Sequence, residues 1–183
     1  MTSERPPRLP GDPPLVDEVA AMIRVDHAGE YGAVRIYEGQ LAVLGRRRSA
    51  RIVREMAEQE QRHLAAFDAL VPARRVRPTL LQPLWHVAGF ALGAATALLG
   101  ERAAMACTVA VEEVIDGHYR RQAERLGAEE PALKETILAF RDDELAHRNT
   151  AIAHAAEEVP CYGLLSALIK SGSRLAIRLS TLI

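Results

Sequence analysis

Two Glu-x-x-His pairs occur in the chain, Glu60-Gln61-Arg62-His63 and Glu144-Leu145-Ala146-His147. Residues three apart on a helix share a face, so each pair aims a carboxylate and an imidazole at one point. A lone glutamate precedes each pair at a similar interval: Glu30 stands 30 positions before Glu60, and Glu112 stands 32 before Glu144. The same ligand pattern therefore runs twice. Four carboxylates and two imidazoles converging inside a helical bundle make a binuclear metal site. With 17 Glu and 6 His among 183 residues, chance supplies about half an ExxH match, so one pair would mean little. Two pairs with matched upstream glutamates are specific.

Carboxylate and imidazole donors without thiolate suit iron or manganese. The arrangement is the general rule for di-iron and di-manganese carboxylate bundles, which gives the metal class directly. Under that rule Glu60 and Glu144 bridge two metals, Glu30 and Glu112 are terminal, and His63 and His147 each take one metal. The expected cofactor is two metal ions per chain, iron or manganese. A reduced di-iron centre with open positions binds O2. Its chemistry then serves to hydroxylate a substrate, to oxidise iron for storage or to make a radical.

The elements that must hold these residues are helices. Residues 15–45 read as the first, with Asp17 as N-cap candidate and Gly45 at the stop. A second starts at Ser49 and runs to Val71-Pro72, giving 49–71. Residues 72–83 hold three prolines and read as a crossover loop, followed by an apolar stretch over 84–99. A third ligand helix spans 101–126 and ends at Gly127. Pro131 opens a fourth, 131–158, broken by Pro160, and a last helix covers 162–182. Helix, helix, long connection, helix, helix is the connectivity of a ferritin-like four-helix bundle, here with extra apolar and amphipathic helices. The expected fold is all-α, with one domain over 15–183.

Periodicity puts the ligands inside. The first helix has the stripe Ile23, His27, Glu30, Val34, Tyr37, Leu41, and the second Ile52, Met56, Glu60, His63, Phe67. The third has Met105, Val109, Glu112, Tyr119, and the fourth Leu133, Ile137, Phe140, Glu144, His147. Steps of three and four trace one face each. A buried carboxylate without a partner costs several kcal/mol or shifts its pKa until it is neutral. Four of them call for cations, and two divalent metals bring the sum to zero. The same test separates Glu112 from Glu113. The face through Glu113 carries Ala106, Gly117, Arg120 and Glu124 and reads as a solvated or small-residue side.

Three further positions stand near this pattern. His27 lies one turn before Glu30 and reads either as a partner that orients a ligand or as a core histidine bonded to a backbone carbonyl. Tyr119, with His118 before it, follows Glu112 by two turns. It reads as a wall of a substrate pocket or an electron carrier, or simply as a packed tyrosine. His154 reads as packing or surface.

Composition narrows the setting. A formal net charge of −1 gives no field that would draw nucleic acid. Cys107 and Cys161 are isolated, no CxxC occurs, and a reducing compartment follows. No GxGxxG marks a tightly held dinucleotide. Residues 1–14 are proline-rich with no apolar core and read as a disordered leader, neither a signal nor a transit peptide. Leu84–Leu99 is apolar but short for a membrane span, so it is a core helix or one that dips into a bilayer. The tail from Tyr162 sets Leu164, Leu165, Leu168, Leu175 and Leu182 against Lys170, Arg174 and Arg178. It reads as an interfacial membrane helix or as a fifth helix covering the bundle. Arg46–Arg48, Arg51 and Arg54 are either a contact to anionic lipid or a solvated turn. Together these features lean toward a peripheral membrane protein acting on something greasy.

The strings RVDHAGEYGAVRIYEGQ at 24–40, EQRH at 60–63, GERAAMACTVAVEEVIDGHY at 100–119 and FRDDELAH at 140–147 resemble the demethoxyubiquinone hydroxylases of ubiquinone biosynthesis. The tail KSGSRLAIRLS at 170–180 is also similar. The family's ligand positions fall on Glu30, Glu60, His63, Glu112, Glu144 and His147, and its His-Tyr pair on His118 and Tyr119. The resemblance implies a membrane-associated di-iron monooxygenase that inserts one oxygen from O2 into the ring of a polyprenylated demethoxy-quinol. The short proline-rich leader does not support mitochondrial import, so a peripheral place on the cytoplasmic side of a bacterial inner membrane is expected, with a homo-oligomer and a lipid-presenting accessory protein as the partners to look for. The rival readings are an iron-storage or peroxide-scavenging ferritin-like protein and a metal-free lipid-binding or scaffold bundle.

Overall fold

The computed structural model describes residue 11, residues 13–45 and residues 47–183. The leader expected over 1–14 falls largely outside the described residues, as does Arg46. The chain forms α1 (Leu15–Leu44), α2 (Arg48–Ala73), α3 (Gln82–Leu98), α4 (Glu101–Leu126), α5 (Pro131–Ala153) and α6 (Tyr162–Leu182). One short 3-10 turn, Ala156–Glu158, precedes α6, and there is no strand among the described residues. The bundle is all-α, as the periodicity requires.

Two helical hairpins carry the ligand candidates. In the first, α1 packs on α2; in the second, α4 packs on α5. Gly45 and Gly127 close α1 and α4 with left-handed φ of 57° and 56°. A Cβ would strain that conformation, so glycine stops both helices at the same point of the repeat. The starts of α2 and α4 are tied together, with Glu101 Oε2 accepting from Ser49 Oγ (2.7 Å) and Ser49 N (3.1 Å).

Four boundary details differ from expectation. Pro14 rather than Asp17 is the N-cap of α1. Its carbonyl accepts from the Asp17 and Glu18 amides at 3.0 Å each. Asp17 instead sits in the first turn, where a negative charge suits the helix dipole. Helix α2 starts at Arg48, leaving Ser49 to bond Glu101, and it runs through Pro72 to Ala73. A proline in the last turn forfeits one N–H bond yet keeps a helical φ. The fourth ligand helix ends at Ala153 rather than 158. Ala155 turns left-handed at φ 61°, and the 3-10 turn buries Ala156 fully against the core.

Apolar layers fill both ends of the bundle. One gathers Val19, Ile23, Phe67, Leu126, Leu133 and Ile137. The other gathers Leu44, Val53, Met56, Met105, Val109 and Ala151. The ligand positions of all four helices fall between these layers in sequence. Two more helices flank this core. Helix α3 lies against α1 with almost no side chain between them: a Cβ on Gly93 would run into the Ile36 carbonyl, and one on Gly39 into the Phe90 carbonyl. Helix α6 lies on α4 and α1, burying Ile169 against Cys107, Ala110 and Val111. The tail therefore covers the bundle, while its outer row stays apolar and exposed at Leu164, Leu168, Leu175 and Leu182.

Candidate metal centre

Glu30 comes from α1, Glu60 and His63 from α2, Glu112 from α4, and Glu144 and His147 from α5. All six are at most 3 % exposed. Their donor atoms form two groups, Glu30, Glu60, His63 and Glu144, and Glu60, Glu112, Glu144 and His147, each within 4.8 Å. Glu60 and Glu144 belong to both groups. The structure thus brings together every ligand candidate named from the sequence. Glu113 is exposed and pairs with Lys170 of α6.

Both imidazoles turn Nδ1 inward. His63 Nδ1 lies 3.2 Å from Glu144 Oε1 and 3.6 Å from Glu30 Oε2. His147 Nδ1 lies 3.0 Å from Glu60 Oε1 and 3.2 Å from Glu144 Oε2. The outward nitrogens are held from the opposite hairpin. His63 Nε2 faces Asp143 Oδ2 at 3.0 Å, and His147 Nε2 faces Gln59 Oε1 at 3.2 Å. Each brace is the residue just before the other hairpin's ExxH glutamate. Phe140 stacks on the His63 ring at 4.0 Å between centroids.

The terminal glutamates are crossed in the same way. Tyr37 of α1 donates its hydroxyl to Glu112 Oε1 at 3.0 Å, and Tyr119 of α4 donates to Glu30 Oε1. Each tyrosine stands seven residues after its own helix's glutamate. Both are buried, and burial pushes both phenols well above their ordinary range.

The electrostatics describe a cluster compatible with bound cations. Burial, reinforced by the neighbouring carboxylates, raises Glu60 and Glu112 well above the carboxylate range, and burial also raises Glu30. Burial acts on Glu144 too, but the adjoining imidazoles of His147 and His63 outweigh it and hold it at about 2. Burial opposes the charge on His63, yet its contacts with Glu144 and Glu30 prevail and lift it to about 10. Glu30 Oε2, Glu60 Oε1, Glu112 Oε2 and His63 Nδ1 are buried without a hydrogen-bond partner. Buried polar atoms are nearly always paired. Four unpaired donors of carboxylate and imidazole type, turned to one centre, fit metal ions.

Beside this centre lies an apolar cavity of about 540 Å³ between α1, α3, α4 and α6. Gly29 and Val111 line it, and the next residues along the chain are Glu30 and Glu112. Gly32, Ile115, Trp85, Leu168 and Gly172 continue its wall. Trp85 Nε1 donates to Ser180 Oγ at 2.9 Å, joining α3 to α6 at its rim.

The neighbouring residues resolve as follows. Tyr119 is not part of the cavity wall; its partner is Glu30. His118 Nε2 lies 3.1 Å from Asp26 Oδ1, which also accepts from Gln122 Nε2 at 2.8 Å. Burial raises Asp26, against the pull of His118. His27 neither orients a ligand nor bonds a carbonyl: its Nε2 meets Asp68 of α2 at 2.9 Å. Three residues fall about 60° short of a full turn, since a helix advances 100° per residue, and that offset from Glu30 turns it toward Asp68 of α2. His154 is on the surface, bonded to the Thr150 carbonyl at 2.8 Å. Gln59, Asp143, Asp26 and Gln122 escaped the sequence reading, and Tyr37 was seen only as part of a stripe. Extending the repeat would have found Tyr37, because Glu-x6-Tyr occurs at 30–37 and again at 112–119.

Comparison with known proteins places the chain among relatives. The family model described as Ubiquinone biosynthesis protein COQ7 matches residues 17–180. A 3-demethoxyubiquinol 3-hydroxylase of Rhodospirillum rubrum is 60% identical over 174 residues, covering 94% of this chain and 82% of that protein. The mitochondrial NADPH-dependent 3-demethoxyubiquinone 3-hydroxylase of Mus musculus is 55% identical over 166 residues, 88% of this chain and 76% of the relative. Its Homo sapiens counterpart is 53% identical over the same shares.

Proposed function

The chain belongs to the family of the ubiquinone biosynthesis protein COQ7, and from that premise we propose that it hydroxylates the ring of a polyprenylated demethoxy-quinol with O2 at a di-iron centre. The observation that carries this reading is the pair of overlapping ligand groups set beside an apolar cavity. Glu60 and Glu144, common to both groups, would be shared between the two ions, Glu30 and Glu112 would each hold one of them, and His63 and His147 would each serve one. Two iron ions, when bound, supply the reduction of O2 that a protein side chain cannot.

The chain's own groups do the rest. Ring C–H, O2, two electrons and two protons become ring C–OH and water. The cavity takes the apolar substrate against α1 and α4 and keeps water away from the reacting ring. Tyr37 and Tyr119 hold the terminal carboxylates in place. His118 and Tyr119 are the candidates for a relay: the Tyr119 hydroxyl sits on Glu30, the His118 ring, 15% exposed, meets the buried Asp26, and the two rings stand 6.1 Å apart between centroids. Relatives named NADPH-dependent make NADPH the first electron donor to try.

The outer faces support a peripheral membrane reading. None of the described helices is long and apolar enough to cross a membrane. Leu84, Val87 and Leu98 on α3 and Leu168, Leu175 and Leu182 on α6 are more than half exposed. With Arg174 and Arg178 also exposed, this face suits a peripheral seat on the cytoplasmic side of a bacterial inner membrane. Lys170 is tied to Glu113. The same face is where a second copy or a lipid-presenting protein would dock.

The decisive experiment incubates iron-loaded, reduced protein with a demethoxy-quinol and labelled O2. Mass spectrometry should find one labelled oxygen in the ring. Iron turnover with O2 but no ring label would instead favour storage or peroxide chemistry and overturn the assignment.

A further inference from the structure

The two ligand groups match in nearly every respect. Each has three carboxylates, one imidazole and a tyrosine hydroxyl on its terminal glutamate. They differ behind the imidazoles. His63 Nε2 meets a carboxylate, Asp143 Oδ2 at 3.0 Å; His147 Nε2 meets an amide oxygen, Gln59 Oε1 at 3.2 Å. With Nδ1 facing the centre on both rings, Nε2 carries the proton and donates it outward.

We propose that Asp143 and Gln59 are positioning residues that make the two metal positions unequal, the one served by His63 binding more tightly and filling first. This rests on the two-metal reading of the centre.

Both braces fix the ring and its tautomer, so both orient Nδ1. Only Asp143 adds charge. A carboxylate acceptor makes a hydrogen bond roughly twice as strong as a neutral one. It draws the Nε2 proton away from the ring and leaves Nδ1 a better donor to a cation. Its negative charge also attracts the metal directly. The Asp143 side chain is 42% exposed, so water screens that attraction. The difference therefore belongs at the low end of the range for such outer partners, about tenfold in affinity.

The test is calorimetric titration of the metal-free full chain with Fe(II) in the absence of O2. Wild type should bind two ions in steps about tenfold apart. Asp143→Asn keeps the shape and an acceptor oxygen but removes the charge; it should weaken the tight step and leave the other in place. Gln59→Glu should tighten the weak step and close the gap from the other side. A gap unchanged in folded Gln59→Glu overturns the proposal even where Asp143→Asn does not fold. Two indistinguishable steps in wild type, or an Asp143→Asn protein weakened equally at both, overturn it too. Fewer than two ions on folded wild type would bring down the two-metal reading itself, and this inference with it.

Discussion

The α1–α2 hairpin and the α4–α5 hairpin are two versions of one device. Each supplies a terminal glutamate, a tyrosine two turns later, a glycine stop and an ExxH pair. Each reaches across to steady the other's ligands: tyrosine to glutamate, and the residue before ExxH to histidine. What repeats is what the proposed two-metal centre would require. What does not repeat is the surroundings. Asp26, His118 and Gln122 form a buried polar cluster near Glu30. Near Glu112, burial pushes the Cys107 thiol up to about 12, so it acts as an apolar packing group. The lesson is that the repeat sets the number of buried carboxylates and imidazoles at the centre, while individuality resides one layer out.

The largest effect should come where the halves share residues. Glu60→Ala or Glu144→Ala removes a carboxylate common to both ligand groups, so each should lose both metals and all turnover. Glu30→Ala or Glu112→Ala should cost one position only. Iron content per chain with single-turnover assays checks this, and full turnover in Glu60→Ala at wild-type iron would break it.

Next comes the packing beneath the site. Phe67 is fully buried in one apolar layer, and Phe67→Ala should cost about 3–5 kcal/mol. Urea unfolding of the metal-free protein measures it; a loss under about 1 kcal/mol would mean the layer is looser than its burial indicates.

The pH response comes third. Without metal, Glu30, Glu60 and Glu112 are raised above their ordinary 4.5, and His63 is raised from 6.5 to about 10. The folded chain then holds more protons than the unfolded one. The His63 contribution is complete below pH 6.5 and is lost as pH climbs toward 10. Glu144 works the other way, losing its contribution as pH falls from 4.5 toward 2. The metal-free melting temperature should therefore fall between pH 6.5 and 10, at up to about 1.4 kcal/mol per pH unit for each extra proton held. Metal binding strips these protons, so it should release acid and tighten over the same range. A flat metal-free melting curve with no proton release would refute the assignment of charges.

The smallest effect tests the crossing itself. Tyr37→Phe and Tyr119→Phe each leave a buried carboxylate oxygen without its donor, at about 1–3 kcal/mol. Each should loosen the metal position in the opposite hairpin and spare its own. Equal weakening at both positions in either variant would show that the halves do not act as a crossed pair.

The fold and the gathering of the six ligand candidates were legible because both rest on local spacing. Three-residue steps placed Glu60 with His63 and Glu144 with His147, and stripe membership chose Glu112 over Glu113. Gly45 and Gly127 announced their helix ends. The braces were not legible because Gln59 and Asp143 occupy half-exposed positions and act across the bundle, where chain spacing carries no information. The end of α5 was hidden because Ala155 is left-handed, a conformation alanine rarely marks. The cavity depends on how α3 and α6 lie over α1 and α4, and an apolar stretch such as Leu84–Leu99 does not say which of its faces is covered.

Gly29, Gly32 and Gly172 border the cavity, and a Cβ at any of them would meet no atom within 4 Å. Glycine inside a helix sacrifices roughly 1 kcal/mol relative to alanine, so this bundle trades helical firmness for room. The consequence is a set of built-in calipers. Alanine at each position narrows the chamber by one methyl while stiffening the wall that carries it, so the three glycines offer a graded ruler for how wide a guest the chamber admits.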